Sequence, residues 1–326
     1  MEQTRLGRSD LMVSRVAFGT WQLGGDWGAT DEEQAIAAIE RAADLGVTLF
    51  DTAQGYGFGE SERLLAKALS PIPRDQVIIA TKGGLRPRPG GGVQRDASPA
   101  WIRRGVEDSL AALGTDYLDL YQVHWPDPAT PFDQTAEALG ELVAQGKIRH
   151  VGVSNFSAEQ MDAFSATLPV ETLQPPYHLF RREIETSVLP YAREHDIGVV
   201  VYGAVGHGLL SGHLREDTRF VEGDWRGSSE VFRGEPYRRN LRVVDELAEL
   251  ARMDLGITVS QLALAWTLAN PAVHATIVGT RDPDHVDEAV AAAAVQLDDA
   301  VLARIEEIIA AATPVAGPSP EGMPEG

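Results

Sequence analysis

The stretch Leu49-Phe50-Asp51-Thr52-Ala53-Gln54-Gly55-Tyr56-Gly57-Phe58-Gly59-Glu60-Ser61-Glu62 puts a carboxylate and a phenol on one short, glycine-rich turn. Asp51 stands where the apolar run from Val47 to Phe50 leaves the core, and the glycines after it let the backbone turn sharply. Lys82 ends a second apolar run, Val77–Lys82, and is one of three lysines, with Lys67 and Lys147. An ammonium at the end of an apolar strand is costly unless it is paired. Asp51 on the adjacent strand is its natural partner, and removing one member of a buried pair costs about 3–5 kcal/mol. A free tyrosine titrates near pH ~10, and a close cation lowers that by about 1–3 units. Tyr56 beside Lys82 is therefore suited to deliver a proton to a carbonyl oxygen, a role worth roughly 10²–10⁴-fold. His124, in Tyr121-Gln122-Val123-His124-Trp125, can donate a second hydrogen bond to the same oxygen, and Trp21 and Trp125 would wall an apolar pocket.

An acid with neither a nucleophile nor a metal needs electrons from elsewhere. Ser154, Asn155 and Gln174 are hydroxyl and amide groups suited to a carboxamide, and Tyr202 can stack on a flat ring. Arg281 precedes a helix starting near Pro283, a position suited to phosphate, with a planar fork for bidentate contact. Together they suggest a nicotinamide dinucleotide. Each residue also has a plainer reading. Asp51 could cap a helix, Lys82 could neutralise a structural carboxylate, and His124 could be a satisfied core histidine. Ser154-Asn155 could be a helix cap and Tyr202 core filler. All of them nevertheless fall at the ends of successive strands, which favours chemistry.

Those strands read as Arg15–Gly19, Thr48–Asp51, Val77–Lys82, Leu118–His124, His150–Ser154, Glu171–Gln174, Gly198–Tyr202 and Ala275–Gly279. Most are solid Val/Ile/Leu runs, as expected of strands covered on both faces. Helical periodicity fills the gaps at Asp31–Asp44, Glu60–Leu69, Pro99–Leu113, Phe132–Ala144, Ala158–Phe164, Ile184–Glu194 and Pro283–Ala292. Two more helices, 240–254 and 259–269, precede the last strand, and Asp298–Ala311 closes the fold. A short hairpin spans Thr4–Val13 at the start. Eight βα units predict an α/β fold of the (β/α)8 TIM-barrel type, whose chemistry sits at the C-terminal strand ends. An open doubly wound sheet is the alternative. It lacks support, because no G-x-G-x-x-G follows the first strand, and Gly55-x-Gly57-x-Gly59 follows the second with Glu60 in place of the third glycine. The expected organisation is one domain, 1–312, with a disordered Pro/Gly-rich tail over 313–326.

Composition limits the partners. The net charge is −20 over 326 residues, which argues against nucleic acid and anionic membrane. An anionic cofactor must then be held by a local group of donors. Cysteine is absent, so disulfides and thiolate metal sites are excluded, and no metal site is read. Without an apolar leader at Met1-Glu2-Gln3-Thr4-Arg5 or a bilayer-length apolar run, a cytoplasmic location is expected. Oligomeric state is open.

The chain closely resembles the aldo-keto reductase superfamily. Phe50-Asp51-Thr52-Ala53, Tyr56-Gly57, Gly59-Glu60-Ser61-Glu62, Ala80-Thr81-Lys82, Gln122-Val123-His124-Trp125-Pro126-Asp127 and Gly152-Val153-Ser154-Asn155-Phe156 follow in that family's order. Tyr202–Gly212 and Phe232–Tyr237 resemble its bacterial branch near the inositol-operon and general-stress reductases. The resemblance spans Arg5 to Ile309 and implies a catalytic tetrad of Asp51, Tyr56, Lys82 and His124. It implies NADPH as cofactor, with NADH second. Ser154, Asn155 and Gln174 would hold the carboxamide and Tyr202 the nicotinamide ring, with Gly19, Thr20, Asp51, Gly203, Leu209 and Ser211 along the cofactor. Gly279, Thr280, Arg281, His285 and Glu288 would hold the adenosine phosphate end, and loop 207–239 would fold over the pyrophosphate. Trp21, Tyr56 and Trp125 would meet the substrate. The family often has Tyr-Ser-Pro-Leu where this chain has Tyr202-Gly203-Ala204-Val205, and glutamine where it has His285. The activity implied is reduction of a small-molecule aldehyde or ketone. Two further readings compete: a Schiff-base aldolase using Lys82, and a non-catalytic cofactor-sensing subunit.

Overall fold

The computed structural model describes residues 1–25, 27, 31–88 and 92–316. The chain opens with an antiparallel hairpin, β1 (Gln3–Arg5) and β2 (Met12–Ser14). Then strands and helices alternate: β3 (Val16–Gly19), α1 (Glu32–Asp44), β4 (Leu49–Asp51), α2 (Glu60–Leu69) and β5 (Ile78–Gly83). A second hairpin, β6 (Leu85–Pro87) and β7 (Val93–Arg95), precedes α3 (Pro99–Leu113), β8 (Leu118–Val123), α4 (Phe132–Ala144), β9 (Ile148–Ser154) and α5 (Ala158–Ser165). The rest is β10 (Thr172–Gln174), α6 (Val188–Glu194), β11 (Gly198–Val201), α7 (Gly234–Leu250), α8 (Val259–Ala269), β12 (Ala275–Val278), α9 (Pro283–Ala292) and α10 (Asp299–Ile309). The parallel strands close in the order β3-β4-β5-β8-β9-β10-β11-β12, so the predicted barrel is the observed one. The predicted strands agree with it to within about two residues.

Side chains alternate across each strand, and two cores result. Phe18, Phe50, Ile79, Tyr121, Val123, Val151, Val153, Leu173, Val199 and Val201 point outward and pack under the helices. Ala17, Leu49, Ala80, Leu120, Val200, Ala275 and Ile277 fill the interior together with Leu6, Leu11 and Val13 of the first hairpin, which stops the barrel's N-terminal end. Moving two residues on from the interior layer reaches the opposite rim: Gly19 after Ala17, Asp51 after Leu49, Lys82 after Ala80, Tyr202 after Val200. The period-2 alternation that buries aliphatic residues low in the barrel thus delivers polar groups at the top.

Three expectations are corrected. The helix predicted over Ile184–Glu194 is broken into a 3₁₀ turn, Glu183–Glu185, and α6. Pro190 has no N–H for a bond back to the preceding turn, so a helix containing it cannot run far upstream. The helix predicted over 240–254 begins earlier, at Gly234 (φ 73°), and ends in a π-turn, Ala251–Leu255, closed by Gly256 (φ 67°). The tail is ordered beyond its predicted start: Thr313 N donates to Asn240 Oδ1 at 2.8 Å, and Val315 N donates to Phe180 O at 2.7 Å. Residues 317–326 lie outside the described chain, as do 89–91 of the loop 83–97, whose arms form β6 and β7. No described helix is long and apolar enough to cross a membrane.

Candidate active site

The turn after β4 is built so that Tyr56 bends back over the strand end. Gly57 (φ 67°), Phe58 (φ 47°) and Gly59 (φ 97°) are all left-handed, which reverses the chain in three residues before α2. Thr20 ties the turn from below. Its hydroxyl donates to Asp51 O at 3.2 Å, and Ser61 Oγ donates to Thr20 Oγ1 at 2.6 Å. Gly24 lets the first loop lie against Tyr56, since a Cβ there would fall 2.9 Å from the tyrosine.

Lys82 Nζ donates to Asp51 Oδ2 at 2.7 Å, to Thr52 O at 3.0 Å and to Tyr56 OH at 3.3 Å. Lys82 is fully buried, and the Tyr56 ring stands edge-on to that of His124 with centroids 5.6 Å apart. The four residues read as a tetrad therefore meet in one place. Behind them Glu62 accepts from Thr81 Oγ1 at 2.7 Å. Burial raises the Glu62 carboxyl above its usual range despite its bond from Thr81.

The opposite arc is a chain of hydrogen bonds. Tyr202 OH donates to Asn155 Oδ1 at 2.8 Å, and Asn155 Nδ2 donates to His124 O and to Ser154 Oγ, both at 3.0 Å. Ser154 Oγ donates to Gln174 O at 2.8 Å, and Gln174 Nε2 donates to Asp51 Oδ1 at 2.8 Å. Asn155 takes a left-handed φ of 64° to reach its partners.

These arcs flank a cavity of about 660 Å³. Of the residues singled out from the sequence, Gly19, Trp21, Asp51, Tyr56, Gln174, Tyr202, Gly203, Ser211, Gly279, Thr280, Arg281, His285 and Glu288 line it. Thr20, Lys82, His124, Ser154, Asn155 and Leu209 are not in its wall; they support residues that are, or sit behind them. Trp125, expected in the substrate wall, does not line this cavity. It is 8% exposed and lies under the Arg95 guanidinium, 5.0 Å from ring centroid to Cζ.

Trp21 and the loop 207–239 were expected over the cavity; the aromatic roof they form with Trp27 was not. Trp27 and His207 line the cavity, and with Trp21 and Trp225 they form a packed cluster. Trp21 is stacked on Trp225 with centroids 6.0 Å apart, and Trp27 and His207 stand edge-on to both. Arg226 fastens it. Its guanidinium binds Asp224, donates to His207 O at 3.1 Å and lies 4.8 Å over the Trp27 ring. Burial raises the Asp224 carboxyl, but bonds from Arg226 and the nearby charges of Arg226 and Arg281 outweigh it, leaving it below its usual range. The signal was available: four of the six tryptophans, at 21, 27, 125 and 225, lie outside every predicted strand and helix.

A cavity with a buried cation, a phenol beside it and amides opposite belongs to a recognisable class. Residues 15–310 match the Aldo/keto reductase family. The chain is 45% identical over 289 residues to the aldo-keto reductase YhdN of Bacillus subtilis (strain 168), covering 88% of this chain and 87% of that one. It is 35% identical over 319 residues to the NADH-specific methylglyoxal reductase of Escherichia coli (strain K12), covering 92% and 96%. The structure of the glycerol dehydrogenase AKR11B4 from Gluconobacter oxydans superposes with a TM-score of 0.89 at 39% identity, over 97% of this chain and 98% of that one. The chain belongs to the aldo/keto reductase family, a family of oxidoreductases acting on carbonyl substrates.

Proposed function

We propose that the protein reduces an aldehyde or ketone to an alcohol at the expense of NADPH, with Tyr56 as the proton donor. The observation that carries this reading is the contact between Lys82 Nζ and Tyr56 OH, 3.3 Å, at the wall of the cavity. The donors around that cavity suit a nicotinamide dinucleotide. Gln174 turns its amide oxygen away from Asp51, Tyr202 offers a ring face, and Gly203 at φ 69° leaves its stretch without a side chain. Ser154 and Asn155 would back the carboxamide site, Leu209 and Ser211 would lie along the diphosphate, and Gly279, Thr280, Arg281, His285 and Glu288 would hold the adenosine end. Bound there, the cofactor supplies hydride to the carbonyl carbon.

The chain's own part is protonation. Asp51 holds Lys82 in place, and Lys82 turns its ammonium to the phenol oxygen. That electrostatic field favours the tyrosinate left when the proton moves to the carbonyl oxygen. Trp21 and the aromatic roof exclude water around the substrate. The aldolase reading has no support in this geometry, because Lys82 is fully buried and absent from the cavity wall. Arg281 supports NADPH over NADH.

The test is oxidation of NADPH by the purified protein with an electron-poor aromatic aldehyde, with NADH run in parallel. Faster turnover with NADPH is the expected result. Binding of both cofactors with no turnover in either direction overturns the reading.

A further inference from the structure

The Asp51 carboxylate is gripped from two sides. Lys82, on the strand beside it, donates to Oδ2 at 2.7 Å, and Gln174 donates to Oδ1 at 2.8 Å. In the closed order β4-β5-β8-β9-β10, Gln174 comes from the strand diametrically opposite Asp51. This hydrogen bond therefore spans the barrel mouth, and Asp51 and Gln174 are each 3% exposed. A carboxylate accepts and cannot donate, so Asp51 dictates which end of the Gln174 amide faces it. Nε2 must point to Oδ1, which leaves Oε1 on the other side. Among the described residues no donor reaches Oε1, and Gln174 lines the cavity. One side chain thus shows a donor to Asp51 and an acceptor to whatever occupies the cavity.

The donor end bears on the acid. A hydrogen bond to a charged group in a low-dielectric interior disperses part of that charge. Lys82 Nζ bonds both Asp51 and Tyr56, so carboxylate charge not dispersed at Oδ1 opposes the ammonium field at the phenol. The donor also stops the carboxylate rotating away from Lys82. We propose that Gln174 is a positioning residue for the proton donor, fixing Asp51 against Lys82 from across the barrel while its free amide oxygen faces the ligand. This rests on the reading of Tyr56 as the acid.

Glutamate at this position separates the two ends. An ionised Glu keeps the acceptor facing the ligand but has lost the donor and adds a charge beside Asp51. A protonated Glu has both. If Gln174 served the ligand alone, ionised Glu would suffice. Single-turnover cofactor oxidation is therefore measured for Gln174→Glu, Gln174→Met and wild type across pH, with cofactor affinity titrated by fluorescence.

For Gln174→Glu the rate relative to wild type is expected to fall roughly ten- to hundredfold between about pH 5 and about pH 8, as a charged-group hydrogen bond is lost, while affinity changes less than about threefold. Gln174→Met should be slow at every pH, with a flat ratio to wild type. A flat ratio for Gln174→Glu, or a loss that follows affinity alone, overturns the proposal. Absence of turnover in wild type would instead count against Tyr56 chemistry as such. The proposal is then read from the NMR titration of ring-labelled tyrosine, with Tyr56 assigned by Tyr56→Phe. Its titration should move to higher pH in Gln174→Glu, and an unmoved signal overturns the proposal.

Discussion

Lys82 points its ammonium at the phenol oxygen of Tyr56 across 3.3 Å, and Nζ also lies 5.0 Å from the centre of the same ring. The cation therefore faces both the oxygen and the ring of Tyr56. Tyr56→Phe keeps the ring and removes only the oxygen. Turnover is expected to fall by roughly 10²–10⁴-fold, the usual worth of a placed general acid, while cofactor affinity stays within about threefold. Steady-state kinetics beside a fluorescence titration checks both halves. A variant with wild-type turnover removes Tyr56 as the donor.

The residues of the proposed tetrad were legible because each breaks a pattern. Asp51, Lys82 and His124 are ionisable residues at the ends of apolar runs, and the runs are short enough to place the strands. Tyr56 stood out through the glycines around it. The roof was not legible because Trp27, His207, Trp225 and Arg226 sit in loops with no periodicity, and only the fold brings residues 27 and 207 together. The early start of α7 was hidden by Gly234-Glu235-Pro236, a sequence that reads as a turn although proline is tolerated in a helix's first turn.

Glu62 gives the protein a pH-dependent weakness. Its carboxyl is raised above the usual range, first by burial. A group that holds its proton more tightly when folded contributes stability fully below its unfolded pKa, and that contribution is lost as pH rises through the folded value. The loss begins near the unfolded glutamate value of about 4.3. Glu62→Gln retains an oxygen to accept from Thr81 and cannot ionise. It is expected to be more stable than wild type at neutral pH, with the difference shrinking as pH falls toward that value. Urea unfolding across pH measures it, and a difference that does not vary with pH rules out Glu62 as its source.

The proposed preference for NADPH rests on Arg281. It follows β12 at the cavity wall, next to Asp282, which caps α9 by accepting from Asp284 N at 3.0 Å. Asp282 is therefore engaged with its helix. Arg281→Met should weaken NADPH by roughly ten- to hundredfold, the worth of charge-assisted bonds to a phosphate, and leave NADH within about threefold. Affinities for both cofactors, measured on the same preparation, provide the comparison. An equal loss for both would assign Arg281 to a part they share, such as the diphosphate.

Gly83 sets how closely the catalytic strand approaches its neighbour. It follows Lys82 at the end of β5, and a Cβ there would lie 1.8 Å from the Tyr121 hydroxyl and 2.8 Å from its ring carbon. Tyr121 is fully buried, and its hydroxyl has no hydrogen-bond partner among the described residues. The clash is therefore mainly with one oxygen that binds nothing. Gly83→Ala should destabilise by about 1–3 kcal/mol, the range for overpacking a core, and should lower turnover because β5 carries Lys82. Tyr121→Phe deletes the clashing oxygen without breaking a bond and should be close to neutral alone. In the double variant the two changes are in contact and should not add; part of the lost stability should return, with a coupling of about 0.5–3 kcal/mol. Urea unfolding of the four proteins in the cycle gives that coupling directly. Strict additivity would mean that the strand, rather than the tyrosine, absorbs the added methyl group.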